Sequence, residues 1–353
     1  MLCTRIRRTY LSLLYSAFFV LLATLLLGCA PAEDAGIDRP YSIAVFVPGV
    51  VEGSPTYEML VEGVRRAVDE SEHATVRIVE GGFNQAEWAG GITSLAATGS
   101  YDLIVSSNPS LPEIVHEVSQ SFPDQHFLVL DGYWEGNPRL RTVMFNQREQ
   151  AYLNGYFAGL VTTGGMPDST NALRIGLLAG QEYPMMNQVI RPAFLEGAQA
   201  VNTGIELDFR VLGNWFDAGR AADLANSMLD RGVDVILSIA GGGNQGVIAT
   251  ARDRNAYVLW FDSSGFHHGP GVVIGSSLVK LDQAAYERTL EAIAGSLEFG
   301  VGEVLGVADG YVTFDDQDPN YIEYVPEDVR TRHEALMQRL MDQPMEFAIP
   351  GAN

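Results

Sequence analysis

The chain has 353 residues and a formal charge of −22, and 47% of its residues are hydrophobic. The acidity makes nucleic acid and anionic lipid poor partners, and it reads as a surface suited to solubility or a saline habitat. The only cysteines are Cys3 and Cys29, so the body of the chain has no thiol for a disulfide, a zinc site or a nucleophile; stability must come from an apolar core, and the length suits two lobes.

Residues 1–28 read as a secretory signal, with a basic start (Arg5, Arg7, Arg8) followed by an apolar run over 10–27. The run ends in Leu26-Leu27-Gly28-Cys29, where an ordinary export signal would have an A-x-A-like site. This resembles the lipobox of bacterial lipoproteins, which implies that Cys29 is acylated and becomes the mature N-terminus. A transmembrane anchor is the competing reading, because the run approaches the roughly 20 residues needed to span a bilayer. Residues 29–40, which include the small, polar stretch APAEDAGIDR, read instead as a tether that keeps the folded part in water. Loss of the three signal arginines takes the formal charge from −22 to −25.

From residue 41 onward, short apolar runs alternate with helical patterns. Strands are expected over 41–47, 75–79, 103–106, 127–130, 174–178, 206–211, 233–238, 257–261 and 272–274. Helices are expected over 57–70, 86–98, 147–161, 193–201, 219–231 and 246–254, with a strand-like 311–314 and a last helix over 326–341. Alternation at this spacing argues for βαβ units and parallel sheets, an α/β protein. The series restarts at Arg174, so two similar lobes are expected, and a ligand cleft between them, beyond the carboxyl ends of the strands.

Two local features point to chemistry. Gly241-Gly242-Gly243-Asn244-Gln245-Gly246 satisfies G-x-G-x-x-G after a strand and before a helix, and Asp262 ends the next strand. That is the dinucleotide pattern in its proper context, which makes an NAD-dependent oxidoreductase a competing reading. An exported protein would have to find NAD outside the cytoplasm, however, and glycines after a strand serve any turn whose amides approach a polar ligand. Asp262 suits the vicinal hydroxyls of a ribose under either reading. The second feature is Lys280, the only lysine beside 21 arginines, a compact ammonium where a planar guanidinium would fit differently. His267 and His268 are adjacent and lack the i, i+4 spacing of a helical metal pair, so no metal site is expected. Without a G-x-S-x-G elbow or a Walker loop, binding is favoured over catalysis, with no cofactor.

The order of segments is similar to that of the basic membrane protein family, the PnrA-like nucleoside-binding lipoproteins of ABC transporters. The residues that carry the resemblance are 101–132 (YDLIVSSNPSLPEIVHEVSQSFPDQHFLVLDG), FNQREQAYLNGYFAGL, RIGLLAG with FLEGAQAVNTGIEL, and above all GNWFDAGRAADLANSMLDRGVDVILSIAGGGNQGVIATARDRNAYVLWFDSSG with SSLVK. The resemblance implies a type I periplasmic binding fold: two Rossmann-like lobes, a hinge and an interlobe cleft for a purine nucleoside. The lobes would be 41–146 plus about 263–300, and 147–262 plus about 301–345, hinged near Gln147, Asp262 and the segment after about Gly300. It implies that Trp215 stacks on the base and Asp131 lies on the base side. Asp262 and Lys280 would hold ribose hydroxyls, Gly241 and Gly242 would line the sugar side, and Asn108 would join the ligand-facing set.

One segment departs from the family. In place of its D-x-S-F-N, Gly53, Pro55, Thr56 and Tyr57 stand at the Asp, Ser, Phe and Asn positions. Tyr57 is one residue from the missing ring and is the candidate to stack on the base from the first lobe. The expected protein is therefore a lipid-anchored, extracytoplasmic solute-binding protein that delivers a purine nucleoside or related ligand to an ABC permease. A ligand-sensing protein that signals to a membrane receptor is the alternative. The lipobox predicts that Cys29→Ser leaves a full-length precursor that takes up no labelled fatty acid; a mutant that still labels sinks the assignment.

Overall fold

A computed structural model describes residues 39–350 of the chain, so the signal segment and Cys29 lie outside the described residues. One sheet begins with β1 (Tyr41–Val47), β2 (Ala74–Glu80), β3 (Leu103–Ser107), β4 (His126–Leu130) and β5 (Leu140–Phe145). A second is built from β6 (Arg174–Ala179), β7 (Glu206–Val211), β8 (Val235–Ile239), β9 (Tyr257–Trp260) and β10 (Val273–Val279). Two late strands return one to each sheet: β11 (Gly302–Leu305) lies parallel to β5, and β12 (Val312–Phe314) lies antiparallel to β10. The orders β11-β5-β4-β3-β1-β2 and β12-β10-β9-β8-β6-β7 correspond strand for strand.

Sequence pattern explains the positions. The inner strands β3, β5 and β8 are buried along their whole length, as expected of parallel strands covered on both faces. The edge strands β2 (ATVRIVE) and β7 (ELDFRV) carry charges and are only partly buried, and such charges discourage pairing with a further strand. Helices α1 (Pro55–Glu70), α2 (Gln85–Ala97) and α3 (Leu111–Ser119) connect strands of the first sheet. The chain then enters α4 (Gln147–Leu160) and the second lobe, where α5 (Arg191–Gln199), α6 (Ala218–Leu229) and α7 (Asn244–Asp253) connect strands. α8 (Leu281–Ile293) precedes β11, and the short α9 (Pro319–Tyr324) and α10 (Glu327–Asp342) follow β12. Among the described residues no helix is long and apolar enough to cross a membrane.

The lobe boundaries differ from expectation at two places. β10 falls within 263–300 but belongs to the second sheet through its parallel pairing with β9. The second crossing is therefore at Lys280 instead of Asp262. From there α8 packs on α1 so closely that a Cβ on Gly63 would stand 2.2 Å from the Asp282 carbonyl oxygen. β11, expected in the second lobe, pairs with β5 of the first, which moves the third crossing to 306–311. The Gly275-Ser276-Ser277 run weakens the apolar pattern of β10, and four-residue β11 has almost no periodicity to read.

Helices α4 and α5 meet backbone to backbone. A Cβ on Gly155 would lie 2.0 Å from the Phe194 carbonyl oxygen, and one on Gly197 would lie 2.2 Å from that of Tyr152. Gly155→Ala forces these helices apart, and overpacking of this kind costs roughly 1–3 kcal/mol. Thermal unfolding of the variant is expected several degrees below wild type; an unchanged Tm would mean the helices separate freely.

Candidate functional site

Because the strands run parallel, the loops at their carboxyl ends gather along one edge of each sheet. Tyr57 lies in the first turn of α1 after β1, Asn108 follows β3, and Asp131 follows β4. On the second lobe Trp215 follows β7, Gly241 and Gly242 follow β8, Asp262 follows β9 and Lys280 follows β10. Every ligand-facing residue proposed from sequence thus belongs to a carboxyl-end connection.

Asp131 and Asp262, one from each lobe, are tied to the first turns of α4. The Gln147 Nε2 donates to Asp131 Oδ1 at 3.1 Å, and the Gln150 Nε2 donates to Asp262 Oδ1 at 3.0 Å. Both aspartates adopt left-handed backbone, with φ of 53° and 72°, so each is turned out of its strand direction. Gln147 and Gln150 are 8% and 0% exposed, and neither Oε1 has a partner among the described residues. Burial first, then the nearby Asp262 charge, pushes the Asp131 carboxyl up to about 8, against a pull downward from Gln147. Burial pushes Asp262 up to about 6, again opposed by its glutamine.

The first-lobe side continues through Asn108. Its Nδ2 donates to the Tyr57 hydroxyl at 3.4 Å, and that hydroxyl donates to the Pro48 carbonyl at 3.2 Å. Burial raises the Tyr57 phenol, Asn108 lowers it and the Asp131 charge raises it further. On the second lobe Trp215, 43% exposed, lies against Gly180, where a Cβ would come within 2.4 Å of the indole. The Trp215 carbonyl accepts from the Gly242 amide at 2.8 Å. Gly241 has φ of 56°, and a Cβ there would be 2.7 Å from the same carbonyl oxygen, so this turn requires glycine. Gly246, the last glycine of the G-x-G-x-x-G pattern, serves helix packing: a Cβ there would be 1.9 Å from the Ala218 carbonyl oxygen.

Lys280 is exposed and makes no ion pair among the described residues. It stands beside Asp262 through the backbone, since the Val279 amide donates to the Asp262 carbonyl at 3.0 Å. Three site residues escaped the sequence reading as ligand-side groups: Gln147, Gln150 and Tyr183. The glutamines had a signal, because polar Gln147, Gln150 and Asn154 repeat at i, i+3 and i+7 and are buried with the apolar face of α4. Tyr183 follows β6; its ring is 6.4 Å from that of Trp215. Burial, then Asp262 and Asp131, push its phenol up. The cleft therefore offers acceptors, amides, phenols and an indole face, a set for a flat, polar, uncharged molecule more than for a phosphate.

Two parallel-sheet lobes, joined by crossings at 146–147, 280 and 306–311, with such a cleft at their strand ends define a solute-binding protein of the type I periplasmic binding fold. The chain belongs to the PnrA-like family of ABC transporter substrate-binding proteins, whose family profile matches residues 41–341. It is 22% identical over 320 residues to basic membrane protein D of Borreliella burgdorferi, covering 88% of this chain and 90% of that one. It is 26% identical over 156 residues to the ABC transporter nucleoside-binding protein BmpA of Lactococcus lactis, covering 44% and 42% of the two chains. Among solved structures, a solute-binding protein of an ABC transporter system from Aeropyrum pernix superposes with a TM-score of 0.75 at 20% identity, covering 89% and 95%.

The raised carboxyls make stability depend on pH. Between the ordinary carboxylate value and about 8 the folded chain holds a proton at Asp131 that the unfolded chain releases, so this contribution is full at low pH and is lost as pH rises through about 8. Asp131→Asn should therefore lose fewer degrees of Tm than wild type, by several degrees, when pH is raised from about 5 to about 8. Parallel Tm curves for the two proteins would contradict the assignment.

Proposed function

We propose that this is a lipid-anchored, extracytoplasmic binding protein that closes its lobes on a purine nucleoside or a close relative and presents it to an ABC permease. The observation that supports the reading is that Asp131 of the first lobe and Asp262 of the second are each held by a glutamine of the same helix. Trp215 stacks on the base and Asp131, with Asn108 and Tyr57, meets its polar edge. Asp262 accepts from ribose hydroxyls, Lys280 donates to them on closure, and Gly241 and Gly242 let the backbone approach the sugar. The similarity to a nucleoside-binding protein of Lactococcus lactis supports the same ligand class. Membership of a solute-binding family supports delivery without covalent chemistry.

Calorimetry separates the roles. A hydrogen bond to a charged group contributes roughly 1.5–3 kcal/mol, so Asp262→Asn and Lys280→Met should each weaken guanosine or adenosine binding about tenfold or more. Free guanine or adenine should be affected much less. Equal losses for nucleoside and free base would remove the ribose assignment, and absence of nucleoside binding by wild type would remove the ligand class.

A further inference from the structure

Trp215 is presented by a backbone device that the first lobe repeats. β2 and β7 are the edge strands at the same end of the two sheets, next to β1 and β6. Beyond β7 the Leu212 amide donates to the Ala179 carbonyl at 2.8 Å, and the Gly213 amide to that of Gly180 at 2.9 Å. Beyond β2 the Gly81 amide donates to the Val47 carbonyl at 2.7 Å, and the Gly82 amide to that of Gly49 at 3.1 Å. Gly213 and Gly82 both have positive φ, 90° and 66°. An aromatic residue follows each, Trp215 in one lobe and Phe83 in the other, and each ring lies near the glycine that accepted the bond. A Cβ on Gly49 would be 3.1 Å from the Phe83 ring, as one on Gly180 would be 2.4 Å from that of Trp215.

The Phe83 loop is held on both sides. The Trp88 Nε1 donates to the Gly82 carbonyl at 2.8 Å, and the Asn84 side chain accepts from the Ala86 amide at 3.3 Å as the cap of α2. A ring fixed by such a backbone is nevertheless 72% exposed. Tyr57, the candidate from sequence, has its hydroxyl committed to Pro48 and Asn108 and is half-buried. Of the two rings beside Gly49, Phe83 is the one with free area.

We propose that Phe83 is the first-lobe counterpart of Trp215, a specificity-determining aromatic that meets the opposite face of the bound heterocycle when the lobes close. The inference rests on the nucleoside reading above and moves the first-lobe stacking role from Tyr57 to Phe83, on the edge strand equivalent to that of Trp215. A flat ligand gains from an aromatic on each face, and such stacking tolerates different bases because every base has a π-face. The pair selects heterocycles over free sugars and leaves the choice among bases to the polar edge around Asp131.

The test is calorimetry of adenosine and guanosine on the full-length protein with Phe83→Ala, Phe83→Leu, Phe83→Trp and Trp215→Ala. Loss of about tenfold or more is expected for the Ala and Leu variants, similar for both nucleosides, while Trp keeps affinity within about twofold. The Tm of each Phe83 variant should stay at the wild-type value, because the ring is on the surface. If Trp215→Ala weakens binding while Phe83→Ala does not, the inference fails and the nucleoside reading stands. If Phe83→Leu binds like wild type, the residue is an apolar cover and the stacking role fails. No nucleoside binding by wild type overturns both.

Discussion

The first turn of α4 is the constraint on which the rest of the site depends. Asn146 caps the helix by accepting from the Glu149 amide at 3.2 Å, and three of the four polar residues that follow, Gln147, Glu149 and Gln150, reach in three directions. Gln147 holds Asp131 of the first lobe, and Gln150 holds Asp262 of the second. Between them Glu149 is fully buried, and its carboxylate accepts from the Val307 amide at the third crossing and from the Met345 amide of the C-terminal segment, both at 2.8 Å. One helical turn thus ties both carboxyls to the third crossing between the lobes. Burial raises the Glu149 carboxyl, the two backbone donors offset part of that rise, and the Asp309 charge adds to it.

This arrangement explains why the cleft has the character it does. The two carboxyls come from opposite lobes, and their charges bear on shared neighbours: Asp262 raises the Asp131 carboxyl, and both raise the Tyr183 phenol. A phosphate would meet like charge there, whereas hydroxyls and amino groups would meet partners.

The two lobes present these groups through equivalent frames. Their sheets share a strand order, and their edge strands end in the same pair of backbone bonds. The chain is not symmetric in what it places on those frames: an indole stands on one side, a phenyl on the other, and the Tyr57–Asn108 pair has no equivalent bond in the second lobe among the described residues. Similar backbone with different side chains lets a fold of this kind serve different ligands.

Much of this was legible in the chain because it is local. Alternating apolar runs and helical patterns mark most of the strands, since periodicity is written in consecutive residues, and a loop after a parallel strand is a ligand-facing loop wherever the strand sits in the sheet. Asp262 could therefore be singled out from its place after a strand, whereas Trp215 and Asp131 were legible only through the resemblance of the segment order to the family matched over 41–341. Which sheet receives β10 or β11 could not be read, because a short strand chooses its partner through a ladder with residues far away, as Gly302 does with Thr142. The same holds for Gln150 with Asp262, 112 residues apart, and for Phe83 as the mate of Trp215. Those relations exist only after the sheets form, because hydrogen bonds and ring faces depend on where backbones meet in space, whereas residue type and spacing are complete in the sequence itself.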